Sequence, residues 1–164
     1  MPLEQAAVRF HTETVSIPIR DIYPNSFNSN EVSFEEQEKI KQDIMVNGFL
    51  GAIVVRSRGE RGGYEIVDGE HRWRALVDLN VDEVPCIVQD WDDKRAAINS
   101  IRLNTERGTQ NPKKGGEIVR SLQDSGMSLD SVSSELIYTL PELEDRLELS
   151  NLPDNVDELM RARE

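Results

Sequence analysis

The residues best equipped for chemistry stand together in Asp68-Gly69-Glu70-His71-Arg72-Trp73-Arg74. A predicted strand, Tyr64 to Val67, runs through one glycine into a helix rich in cationic side chains. The start of a helix has backbone N–H groups without intrahelical partners and carries about half a positive charge, so a phosphate placed there meets donors and a favourable field together. Gly69 allows a tight turn and close approach of an anion. Arg72 and Arg74 bring planar forks that match phosphate oxygens, His71 is a third candidate donor, and Trp73 is expected to anchor the helix to the core. The same residue types also describe a solvated, arginine-rich helix start, and the spacing alone leaves both readings open.

The elements that must position these residues come from a chain of 164 residues, 37% hydrophobic and 30% charged. That length and balance suit one globular domain of ordinary size, or a compact domain with a small helical appendage, and exclude wholesale disorder. No apolar run is long enough to span a bilayer, and Met1 to Phe10 lacks a signal-peptide pattern, so the expected location is cytoplasmic, with no membrane partner. The single cysteine, Cys86, lies in the apolar run Val84 to Val88 and reads as core filling. A net charge of −12 opposes any general attraction to nucleic acid, and the acidic excess gathers at Glu31 to Glu38 and Glu142 to Glu164.

In chain order, residues 1–14 form a loose arm, and Val15 to Ile19 alternates as a strand ending near Pro18. The asparagine- and serine-rich stretch Tyr23 to Asn30 is turn-forming. Ser33 and Glu36 form a capping box for a helix whose Phe34, Ile40, Ile44 and Met45 share a face, and Asn47-Gly48 ends it. Ile53 to Val55 and Tyr64 to Val67 make a hairpin across a polar, glycine-bearing loop. The cationic helix, from Glu70 to about Leu79, offers Trp73, Leu76, Val77 and Leu79 for packing, and Asn80 stops it. A buried strand, Val84 to Val88, and a helix starting at Asp92 or Asp93 follow. Beyond a break at Leu103 to Pro112 the pattern is helical: Pro112 to Asp124, Ser128 to about Ile137, Pro141 to Leu149, and Asp154 onward. The chain therefore divides as 1–14, 15–108 and 109–164: an arm, an α+β domain with a small mixed sheet, and an all-helical segment of helix-turn-helix type.

With these residues laid out, the sequence resembles the ParB partition family within the ParB/sulfiredoxin superfamily. Leu50-Gly51-Ala52-Ile53-Val54-Val55-Arg56 resembles the family's Leu-Gln-Pro-Ile-Val-Val-Arg strand, and Val67 to Ala75 its Gly-Glu-Arg-Arg-x-Arg-Ala box. Asn104-Thr105-Glu106-Arg107, with Asn111-Pro112 downstream, resembles its Glu-Asn-Leu-Gln-Arg box. Gly126 to Pro153 runs in step with its helix-turn-helix. The resemblance implies a site for a nucleoside triphosphate, CTP favoured, with magnesium. Its binding residues would be Arg56, Gly69, Glu70, His71, Arg72, Arg74, Asn104 and Arg107, with Asn104 as the metal ligand. It also implies self-association of two such domains around DNA.

The departures shape the expectation. Leu103 stands where the family has the glutamate that supports hydrolysis, so any NTPase activity is expected to be weak or absent. His71 replaces an arginine, and Gly51-Ala52 replaces Gln-Pro. Asp68-Gly69-Glu70-His71-Arg72 is closer to the form seen in free-serine kinases and sulfiredoxins. A sulfiredoxin's cysteine would fall at Glu70, which excludes that chemistry. A small-molecule kinase stays open, with Asp68 as base or metal ligand; the blander role for Asp68 is to cap the helix. The Pro141 to Glu148 helix carries four acids and one arginine, so DNA reading is expected to be weakened and packing retained. An end short of the family's dimerisation domain and an acidic second half fit an accessory protein of a phage or plasmid. The expected functions are a stand-alone nucleotide-switched binding module, a nucleotide-dependent small-molecule kinase, or a degenerate protein-interaction module.

Overall fold

A computed structural model describes residues 9–25, 32–106, 112–136 and 138–152. The apolar run Ile53-Val54-Val55 forms β3 (Ile53–Ser57), the middle strand of a five-stranded mixed sheet. Its neighbours are β4 (Tyr64–Asp68), antiparallel, and β5 (Glu83–Gln89), parallel. The edges are β1 (Val15–Pro18), antiparallel to β5, and the two-residue β2 (Ile22–Tyr23), parallel to β4. The order is β1-β5-β3-β4-β2. Pro18 ends its strand at the sheet edge, where a missing N–H costs least. Residues 9–14 lie outside helices and strands.

Among the described residues, six α-helices surround and extend this sheet. The capping box at Ser33 and Glu36 starts α1 (Phe34–Asn47), and Gly48, at φ 82°, ends it. Gly69 opens α2 (Glu70–Asp78), and Asn80, at φ 54°, follows its end. Asp92 accepts from the Arg95 amide at 2.7 Å, capping α3 (Asp93–Glu106). After α4 (Pro112–Asp124), Ser128 caps α5 (Leu129–Leu136), and α6 (Leu140–Ser150) closes the described chain. α6 starts one residue earlier than expected, because Thr139 and Glu142 form a second capping box in front of Pro141.

Two cores result. Ile17, Ile22, Ile53, Val55, Ile66, Leu76, Val84 and Cys86 pack on the sheet, with Ile44, Phe49 and Trp73 closing over them. Ala97, Ile98 and Ile101 of α3 pack with Ile118, Val119, Leu122, Val132, Leu136 and Leu143 of the later helices. Fully burying each aliphatic side chain of this size contributes about 1.5–3 kcal/mol. Because α3 also lies against β4, it is common to both assemblies. The expected apolar face of α1 is corrected: Phe34 and Met45 are 79% and 67% exposed, and none of the helix's residues is fully buried. Of the four expected residues only Ile40 and Ile44 turn partly inward, since α1 rests chiefly on α2, with Ile44 reaching the sheet core. Val77 is likewise exposed. Residues 26–30 of the expected turn, Arg107 and the helix from Asp154 lie outside the described residues.

Candidate functional site

The mouth of α2 differs chemically from the other helix starts. α1, α3, α5 and α6 each begin with a side-chain oxygen accepting from a first-turn amide. α2 begins with Gly69, in the left-handed region at φ 100°, which brings no side-chain acceptor to those amides. The cap position thus goes to Gly69 and not to Asp68. A Cβ at Gly69 would lie 2.8 Å from Ile53 Cδ1 and 3.1 Å from Arg72 Nη2, so the backbone is bare where the strand turns into the helix. Bare amides at a helix start form an anion cradle.

Arg72 folds back over this mouth. Its Nη2 donates to the Ala52 carbonyl at 3.1 Å and its Nη1 to the Leu50 carbonyl at 3.4 Å. Asp68, almost fully buried at the end of β4, lies 4.0 Å away, and the Phe49 ring centroid 5.5 Å from the guanidinium. Arg74, two residues on, is exposed and pairs instead with the buried Glu70 at 3.4 Å. The mouth therefore combines two guanidinium groups with two carboxylates. Trp73 packs on the sheet core as expected. Both ring nitrogens of His71 are shielded from solvent, and its carbonyl accepts from Gln37 of α1.

The remaining expected residues are distributed more widely. Arg56 is buried in β3, donating to Glu65 at 2.8 Å, to Asp93 at 2.8 Å and to the Trp91 carbonyl at 3.3 Å. Burial works against its charge, but the hydrogen bonds to Glu65 and Asp93 outweigh that and hold its pKa above the ordinary arginine value. Arg56 thus ties the hairpin to the start of α3. Asn104 is buried in the last turn of α3, beside the half-buried Leu103. Among the described residues no group of three or more His, Cys, Asp or Glu side chains could hold a metal ion. Burial pushes the Cys86 thiol up to about 11, in keeping with a core filler.

Sequence reasoning missed the loop that grips Arg72. Gly51 adopts φ 95°, and it stands between the two residues whose carbonyls receive the guanidinium. A glycine in place of the family's Gln-Pro was the available signal. The same loop and α1 border an open cavity of about 370 Å³, lined in part by Lys39, Asp43, Phe49, Leu50 and Arg72.

The nucleoid occlusion protein of Bacillus licheniformis is 29% identical over 167 residues, covering 98% of this chain and 59% of that protein. That of Bacillus subtilis is 28% identical over 92% of this chain and 54% of its own length. The chain thus spans somewhat over half the length of these relatives. Two structures of C-terminally truncated ParB from Caulobacter crescentus share the fold. The one complexed with CTP-gamma-S has a TM-score of 0.54 at 23% identity, covering 92% of this chain and 85% of that one. The one complexed to the centromeric parS site has a TM-score of 0.59 at 22% identity, covering 90% and 78%. The ParB N-terminal domain family matches residues 4–105, and the chain, an α+β protein of ParB-like fold continued by helices, belongs to that family.

Proposed function

We propose that this protein binds a nucleoside triphosphate, CTP favoured, at the mouth of α2, and that binding switches its self-association or its contact with DNA or a protein partner. The observation that carries this reading is the Gly69 cap: it is left-handed, bare of any side-chain acceptor and overlain by Arg72. The CTP-gamma-S bound to a protein of the same fold supports cytidine as the base. Gly69 and the first-turn amides would hold phosphate oxygens, Arg72 and Arg74 would neutralise them, and Arg107 is a candidate further contact. Magnesium fits as a companion of the phosphates, with the Asn104 side chain offering a neutral oxygen and the phosphates most of the coordination. Leu103 has no group to activate water, so hydrolysis is weak or absent.

Calorimetry and thermal shift across the four ribonucleoside triphosphates, with and without magnesium, test the reading. CTP with magnesium should stabilise the fold by about 2.7 kcal/mol at a hundredfold excess over Kd. Arg72→Ala should remove the effect, and a chain that binds none of the four sinks the proposal. One observation favours phosphotransfer as the second reading: Asp68 is a buried carboxylate set against Arg72. Label moving from the γ-phosphate to a small hydroxylated acceptor such as free serine would select the kinase.

A further inference from the structure

We infer that the loop from Gly48 to Ala52 senses whether the mouth of α2 holds an anion, and that Arg72 is the link. The inference rests on the nucleotide reading above and adds its regulation. Arg72 occupies two places at once. Its Nη2 is 3.1 Å from where a Gly69 side chain would begin, which is the ground an incoming phosphate must cover. The same Nη2 and its neighbour Nη1 donate to the carbonyls of Ala52 and Leu50, at 3.1 and 3.4 Å.

Those two carbonyls converge because the residue between them, Gly51, is in the left-handed region at φ 95°, where an L side chain is strained. Both of these acceptors are neutral carbonyls, the bond to Leu50 is long, and the Asp68 carboxylate stands 4.0 Å from Nη2. A phosphate oxygen makes shorter, charge-assisted bonds about twice as strong as neutral ones. It therefore draws the guanidinium off the carbonyls, and the loop loses its tether. Linkage makes the effect reciprocal, so whatever holds the loop shut weakens the anion. The loop carries Leu50, 91% exposed, and Phe49, whose ring lies beside the guanidinium, so the released segment presents a different apolar surface.

Amide hydrogen exchange of the wild-type protein tests this, read in peptides covering Gly48 to Ala52, without ligand, with inorganic pyrophosphate, and with CTP and magnesium, binding being followed in parallel by calorimetry. Exchange of the loop should rise about tenfold when either anion saturates, the change that losing one such hydrogen bond permits. Arg72→Lys, which keeps the charge without the fork, should exchange fast with no ligand present and gain little on adding one. If the anions bind while loop exchange stays the same or slows, the inference is overturned and the nucleotide reading stands. If neither anion binds, that reading falls and the inference with it. The wild-type titration decides between these outcomes even where the variant folds poorly.

Discussion

Replacing Arg56 with methionine would remove a cation from between Glu65 and Asp93 while keeping much of the side-chain volume. Asp93 is almost fully exposed and loses little, but Glu65 is 14% exposed and would be left as a nearly buried, uncompensated charge. The expected cost is about 3 kcal/mol, the lower end for breaking a buried pair. Urea denaturation measures it, and adding Glu65→Leu should return part of the loss. The strand box marks Arg56 as a nucleotide contact by resemblance, and nothing in its spacing shows that Glu65 and Asp93 will close on it. Those partners come from the other arm of the hairpin and from a helix more than thirty positions on, contacts that exist only once the sheet is assembled. Gly69 and Arg72, three positions apart and joined by local backbone, come together for the opposite reason.

Among the elements, α4 and α6 make the tightest crossing. A Cβ at Gly116 would stand 1.9 Å from the Arg146 carbonyl oxygen and 3.0 Å from Ser150 Cβ, so the two helices touch backbone to backbone there. Arg120 of α4 adds to the seam, donating to the Leu147 carbonyl at 3.3 Å and to Asn151 at 2.7 Å. Gly116→Ala must push α6 away, and is expected to destabilise the protein by about 3 kcal/mol, at the upper end for overpacking because backbone has to move. Thermal denaturation of the variant checks this against Gly126→Ala, whose added Cβ meets no neighbour but is strained by its φ of 98°.

The start of α6 also carries a pH dependence. The Thr139 amide and hydroxyl both donate to the Glu142 carboxylate, at 2.7 and 2.8 Å, and those bonds lower its pKa. A carboxylate lowered in the folded state contributes stability above its unfolded pKa, and that contribution drains away as the pH falls through the folded value. Helicity at this end, followed by amide exchange of Leu140 to Leu143, should therefore weaken below the ordinary glutamate range, and Glu142→Gln should remove the dependence. The Ser33 box was readable because its polar flanks are unambiguous, whereas at Thr139 the neighbouring Pro141 offered a competing start one turn position later. Strands as short as β2, and the parallel pairing of β3 with β5, leave no local trace, so beyond the β3–β4 hairpin the sheet order was not legible.

At the scale of the whole molecule, a net charge of −12 and a final helix whose Glu142, Glu144, Asp145 and Glu148 are exposed oppose a phosphate backbone. The chain by itself should stay on a DNA column only at low ionic strength and elute well below 0.15 M salt, the expectation for about two or three phosphate contacts and no more. Elution as late at 0.2 M as at 0.05 M would contradict that. The side-chain geometry agrees: Arg146, the one cation of α6, is occupied with Tyr138, stacking 4.5 Å over its ring and donating to its hydroxyl at 3.2 Å.

The doubly employed α3 has a mechanical consequence. As a rod about 21 Å long, it is stiff over its whole length. Its flank is cemented into the helical cluster through Ala97, Ile98 and Ile101, and its tip carries Asn104. A pull on that tip cannot be absorbed locally, so tilting the rod would swing α4, α5 and α6 as a single block, with the β4 contact as fulcrum.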